Sequence, residues 1–155
     1  MKPGDQISDF VLQDETGTER SLSELSANGA VVLFFYPIAS SGGCTQEACH
    51  FRDLAAEFTA LGAQRVGISS DDLTKQNAFA TSNSLGFPLL SDTGNKVAKE
   101  MGAYRMWLPG GLHTRRMTFV IDTDRRLIER FGSESKFDEH ADQALAILRK
   151  RQAAA

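Results

Sequence analysis

The hydrophobic positions fall into short blocks whose period alternates between strand and helix. Residues 30–36, Ala-Val-Val-Leu-Phe-Phe-Tyr, form an unbroken apolar run of strand length, the pattern of a central strand covered on both faces. Pro37 ends the run, and small residues carry the chain from Ile38 to Gly43. From about 44 to 61, Phe51, Leu54, Ala55, Phe58 and Leu61 recur at helical spacing, which predicts one helix closed by Gly62 as its C-cap. A second strand follows at 65–69, then a helix capped by Asp72 and running to about Leu85. The extended piece 87–90 carries Pro88, which suits an edge strand. Another short helix is predicted over 96–101, a hairpin from 117–122 and 126–130, and a closing amphipathic helix over 137–151. Near the start, Phe10-Val11-Leu12 runs into the turn-forming Asp14-Glu15-Thr16-Gly17 and reads as a short hairpin.

This order of elements is α/β and points to a thioredoxin-like fold, a central mixed β-sheet flanked by helices, with the N-terminal hairpin as an extension. The 155 residues and 41% apolar content fit one domain over 1–155, with one core and one site. The 17 Lys and Arg nearly balance the 20 Asp and Glu without a long run of one sign, which argues against nucleic acid as a partner. The N-terminus has no apolar stretch behind its charge, and the longest apolar run, 30–38, is far short of the roughly 20 residues that span a bilayer. A soluble, cytoplasmic protein without a membrane partner is expected. Two cysteines are too few for a disulfide framework, so the thiols are more readily chemical than structural.

The loop between the first central strand and its helix holds the chemical signal, since open α/β sheets gather ligands beyond the carboxyl ends of their strands. Cys44 falls at or near the helix N-terminus, where unpaired N–H groups and the helix dipole favour a thiolate over a thiol. Gly42 and Gly43 allow close approach by a small oxygen substrate. A small core cysteine is the bland alternative. Cys49, five residues on, faces away from the Phe51, Leu54, Phe58, Leu61 stripe. On an intact helix the two Cα atoms stand about 8–9 Å apart, beyond the roughly 7 Å a disulfide spans. A Cys44–Cys49 bridge therefore requires the first turns to unwind. That motion suits peroxide chemistry, in which a sulfenic acid forms first and a second thiol condenses with it; an incidental surface thiol is the alternative. The spacing matches neither a Cys-x-x-Cys pair nor a zinc site, and no metal or organic cofactor is expected.

Pro37-x-x-x-Ser41-x-x-Cys44 resembles the Pro-x-x-x-Thr/Ser-x-x-Cys signature of the peroxiredoxins. Gly43-Cys44-Thr45-x-Glu47-x-Cys49, followed by Phe51-Arg52-Asp53, is similar to the bacterioferritin comigratory protein, or peroxiredoxin Q, subfamily, and the likeness runs over about 2–148. The resemblance implies a peroxidase that reduces hydrogen peroxide and organic hydroperoxides. In it Cys44 is the peroxidatic residue, Pro37 shields it, Ser41 orients the peroxide and Arg116, ahead of Thr118-Phe119-Val120-Ile121-Asp122, stabilises the thiolate. The resemblance further implies that Cys49 resolves the sulfenic acid, that thioredoxin or a similar dithiol re-reduces the bridge, and that the chain is a monomer or weak homodimer. Ser41 replaces the subfamily's usual threonine and keeps the hydroxyl; Gly42 replaces its usual proline and loosens the loop.

Arg115 competes with Arg116 as the guanidinium beside the thiolate. Glu47 falls on the inward side of the helix, where a carboxylate suggests a paired role holding the arginine; a first-turn Glu favoured by the dipole is the alternative. His50, His113 and His140 read as surface or partly packed, and Trp107 with Met106 and Leu108 as core or rim packing. Two other functions stay open. A thioredoxin-fold disulfide oxidoreductase would need a cysteine within a turn of Cys44, where Ser41 stands, and a non-catalytic binding domain would have kept the fold alone.

Overall fold

In the computed structural model, described over residues 1–106 and 112–154, the elements follow the alternation of the hydrophobic blocks. They are β1 (Val11–Gln13), β2 (Glu19–Ser21), α1 (Leu22–Leu25), β3 (Val31–Phe35), α2 (Gly42–Asp53), α3 (Ala55–Ala60) and β4 (Gln64–Ser69). Then come α4 (Leu73–Asn83), β5 (Leu89–Ser91), α5 (Lys96–Met101), β6 (Met117–Ile121), β7 (Leu127–Gly132) and α6 (Glu139–Ala154). Trp107 and Leu108 lie outside the described residues, while Met106 is exposed.

β1 and β2 pair antiparallel as the N-terminal hairpin, and the main sheet has the order β5-β4-β3-β6-β7. β3 pairs parallel with β4 and antiparallel with β6, so the sheet is mixed; β5, the strand behind Pro88, lies at the edge. Every residue of β3 is buried because both faces are covered. Val31, Leu33 and Phe35 pack on one side with residues of α1 and α5, while Val32 and Phe34 pack on the other with residues of α2, α3, α4 and α6.

The helix expected over 44–61 is two helices. Leu54 leaves helical geometry at φ −96°, ψ 20° and divides α2 from α3. At this corner the Phe51 carbonyl accepts from the Arg65 guanidinium at 2.9 Å, a contact from β4. Phe51 itself stays inside, its ring stacked on Phe34 with centroids 4.2 Å apart. The expected inward stripe therefore survives the break.

Candidate active site

Sequence around Cys44 caps its own helix. Ser41 is extended (φ −69°, ψ 157°), and its Oγ accepts from the Cys44 N–H at 3.3 Å, placing Cys44 in the first turn of α2. The loop ahead of it is tethered by Asp71, whose Oδ2 accepts from the Ala39 N–H at 2.7 Å and from the Ser69 hydroxyl at 2.6 Å. Pro37 is half-buried just after β3. The two glycines do different things from each other. Gly42 is exposed and a Cβ there would meet nothing within 4 Å, whereas a Cβ on Gly43 would stand 2.5 Å from Cε1 of Phe137. Close approach is thus required at Gly43, by a packing ring, and the left-handed residue of the loop is Ser40 (φ 66°).

Arg116, immediately before β6, reaches the first turn of α2 from the sheet. Its Nη1 donates to Glu47 Oε1 at 2.8 Å and its Nη2 to Cys44 Sγ at 3.4 Å, all three side chains being buried. The Phe137 ring covers the guanidinium with Cζ 4.8 Å from its centroid, and the Arg116 backbone N–H donates to Glu134 Oε2 at 2.9 Å. Arg115 makes no hydrogen bond to Cys44 or Glu47 among the described residues. Of the two neighbouring arginines, Arg116 has the geometry, and Glu47 is the buried partner that holds it.

These charges sit where water cannot screen them. Burial pushes the Glu47 carboxyl up to about 8, against the downward pull of Arg116. Burial works against the Arg116 cation as well, but its contacts with Glu47 and Cys44 outweigh it and hold the guanidinium above its ordinary value. A fixed cation beside a buried sulfur stabilises a thiolate and can donate to oxygens on which negative charge builds.

Cys49 is half-buried, not turned into solvent as its helical face suggests, because α4 covers that side. Its Sγ lies 3.6 Å from Asn83 Oδ1, and Arg52 Nη1 donates to the Asn83 carbonyl at 2.7 Å. Both thiols are free on one continuous helix.

His140 corrects the sequence reading, which took it for a surface or partly packed residue. It is 1% exposed, with Nδ1 2.7 Å from Thr118 Oγ1 and 3.4 Å from Glu47 Oε2, and Nε2 3.0 Å from the Ser133 carbonyl. Burial lowers its basicity, and the Arg116 charge acts in the same direction. The sequence held a signal for it: His140, Ala141, Ala144, Leu145 and Leu148 are the buried face of α6 at helical spacing. Phe137 and Glu134 were also missed, and nothing local marks them. The other two histidines are partly packed as expected, His50 against Asp142 at 2.7 Å and His113 stacked on Tyr104. No group of three metal-ligating side chains occurs among the described residues, and none of their helices is long and apolar enough to cross a membrane.

The comparisons agree with this geometry. The family model described as AhpC/TSA matches residues 3–130. A protein of Mycobacterium tuberculosis named as a peroxiredoxin is 53% identical over 149 residues, covering 96% of this chain and 97% of its own. A chloroplastic peroxiredoxin Q of Populus jackii is 38% identical over 151 residues, covering 96% of this chain and 68% of its own. The crystal structure of peroxidoxin BcpB from Mycobacterium tuberculosis superposes with a TM-score of 0.91 at 54% identity, covering 97% of each chain. The chain belongs to the AhpC/TSA family and is a thiol-dependent peroxidase of the peroxiredoxin Q and bacterioferritin comigratory protein type.

Proposed function

We propose that Cys44 is the peroxidatic thiolate, that Cys49 resolves it within the same chain, and that a thioredoxin-type dithiol closes the cycle. The observation that carries this reading is the Arg116 guanidinium, which donates at once to Cys44 Sγ at 3.4 Å and to Glu47 Oε1 at 2.8 Å. The Cys44 thiolate attacks one peroxide oxygen and the O–O bond breaks. The sulfur becomes a sulfenic acid, and the departing oxygen leaves as water or alcohol once it takes a proton. Arg116 stabilises the negative charge as it passes to that oxygen, Ser41 holds the first turn and offers its hydroxyl to the peroxide, and Pro37 shields the thiolate.

The Cys49 thiol then displaces water from the Cys44 sulfenic acid, forming the disulfide that the dithiol reduces. Hydrogen peroxide and organic hydroperoxides are the substrates in this reading, and the cytoplasm supplies the reductant. A bridge between two residues of one helix needs no second copy, which suits a monomer or weak homodimer. The test is peroxide consumption coupled to thioredoxin, thioredoxin reductase and NADPH, for wild type, Cys44→Ser and Cys49→Ser. Cys44→Ser should abolish oxidation and Cys49→Ser only the thioredoxin-coupled turnover. Unchanged turnover in Cys49→Ser would leave an enzyme with one essential cysteine.

A further inference from the structure

One oxygen of Glu47 has no hydrogen bond among the described residues: Oε2, fully enclosed, faces His140 Nδ1 at 3.4 Å. The protons on this contact can be counted. The Ser133 carbonyl only accepts, so His140 Nε2, 3.0 Å away, must carry a hydrogen. Nδ1 of a neutral ring is then a bare lone pair, and the Thr118 hydroxyl at 2.7 Å can donate to it. An ionised Glu47 would set a second lone pair against the first, in a place water does not reach. A single added proton removes that conflict, either on Oε2, with the Thr118 hydroxyl donating to Nδ1, or on Nδ1, with the Thr118 hydroxyl accepting from it. In both arrangements the Glu47–His140 pair carries no net charge; without that proton it carries one negative charge.

The location of that charge matters to Cys44, because Arg116 is the guanidinium that bridges the pair to the sulfur. With the pair neutral, Arg116 opposes the thiolate alone. With the pair negative, two anions share one cation inside a closed site. We propose that Glu47 and His140 hold one shared proton that leaves the Arg116 charge to Cys44, and that His140 is a positioning residue for the reaction of Cys44 with peroxide. The proposal rests on the reading of Cys44 as the attacking thiolate. Burial acts on both members in the direction it requires, raising Glu47 to about 8 and lowering His140. The other charged groups facing the pair are Arg116 ahead of β6, and Glu134 and Glu139 before and at the start of α6, while Cys44 on α2 meets the pair only through Arg116. Glu134 opposes ionisation of Glu47, and both acids favour a proton on His140, so they too hold the proton in place.

The pH dependence follows. Withdrawal of the proton in the alkaline range adds a negative charge that disfavours the thiolate and the charge moving to the leaving oxygen, and the rate of Cys44 oxidation should fall roughly fivefold. That rate is measured against pH for wild type, Glu47→Gln and His140→Phe by competition for hydrogen peroxide. Glu47→Gln, permanently neutral, should lack the alkaline fall. His140→Phe removes the acceptor for the shared proton and should move the fall to lower pH. Identical profiles in all three proteins, or a uniformly slower His140→Phe with the wild-type profile, would overturn the proposal.

Nitrogen NMR of the wild-type histidines decides the matter if a variant does not fold. The His140 Nδ1 signal should titrate together with the rate, and a signal that stays flat through the alkaline range would refute the shared proton. Failure of the underlying reading looks different: Cys44 would not be oxidised by peroxide at any pH.

Discussion

Replacing Phe51 with leucine tests how far α2 must unwind for Cys44 and Cys49 to meet. Intact helix geometry keeps their Cα atoms about 8–9 Å apart, so some turns must melt before a disulfide of ordinary dimensions can close. Melting can begin at either end. From the Gly42 end it releases the Ser41 cap and the Arg116 contact and leaves Phe51 packed. From the other end it frees Cys49 from Asn83 and strips Phe51 from the Phe34 ring, 4.2 Å away, and from Phe58 at 5.8 Å.

The corner at Leu54 separates α2 from α3, which allows α2 to melt by itself. We expect the melted segment to span about 43–51 and to include Phe51. Exposing a fully buried phenylalanine costs about 1.5–3 kcal/mol, and its ring contacts add about 0.5–1.5 kcal/mol. Leucine keeps most of the transfer term and loses the ring contacts. Opening should therefore become easier by about 1 kcal/mol, roughly fivefold in the opening equilibrium and in the rate of bridge formation. One equivalent of hydrogen peroxide followed by acid quenching and mass spectrometry gives that rate, and hydrogen exchange over α2 gives the opening equilibrium. If Phe51→Leu lowers thermal stability and the bridge still forms at the wild-type rate, Phe51 stays packed and unwinding runs from the Gly42 end alone.

Arg116→Ala should slow Cys44 oxidation by about 10²–10³ and destabilise the fold by about 1–3 kcal/mol by leaving the buried Glu47 carboxyl without its hydrogen-bond donor, measured by peroxide competition and denaturant unfolding. Arg115→Ala should do far less, and equal effects would reject the choice of arginine. Gly43→Ala drives a methyl into Phe137 and should displace that ring from Arg116, slowing oxidation several-fold although alanine is about 1 kcal/mol the better helix former; Phe137→Ala in the same chain should cancel the clash. Because the folded Glu47 carboxyl is raised from 4.5 to about 8, the native state keeps a proton that the unfolded chain gives up. Stability should accordingly be highest at low pH as far as this group is concerned and fall as pH rises from about 4.5 to about 8. Denaturant midpoints of wild type and Glu47→Gln across that window should diverge, and parallel curves would deny the shift.

The sheet was legible because its signals are local. An unbroken run such as 30–36 has one good interpretation, and Pro88 marked its edge strand. The break at Leu54 was not legible, since Arg65 approaches Phe51 from β4 and no pattern within 44–61 encodes that contact. Cys49 showed the same limit: the helical wheel set it away from the inward stripe, whereas packing against α4 leaves it half-buried beside the same core. Alternation could not choose between Arg115 and Arg116, because every residue of the strand that follows is buried. The choice came from the motif, and the contacts to Cys44 and Glu47 agree with it. His140 failed for a different reason. Its polar side chain suggested a surface, while its helical neighbours already placed it on the buried face of α6, and its partners come from β6 and α2, far away in sequence.

The arrangement also links chemistry to motion through one side chain. Arg116 grips α2 at two points a single turn apart, Cys44 and Glu47, and any unwinding that carries Cys44 toward Cys49 must break one or both contacts. In the proposed cycle the reduced enzyme holds Cys44 as a thiolate against the Arg116 cation, a contact that would resist opening and keep the site folded for peroxide. Oxidation to the sulfenic acid removes the negative charge from the sulfur, so that contact weakens when the helix has to melt. The Glu47 contact remains, and its strength depends on where the proton of the Glu47–His140 pair lies: a neutral carboxyl lets go of the guanidinium more readily than an ionised one. On the proposed reading, the proton that leaves the Arg116 charge to the thiolate before the reaction would therefore also lower the cost of releasing α2 after it.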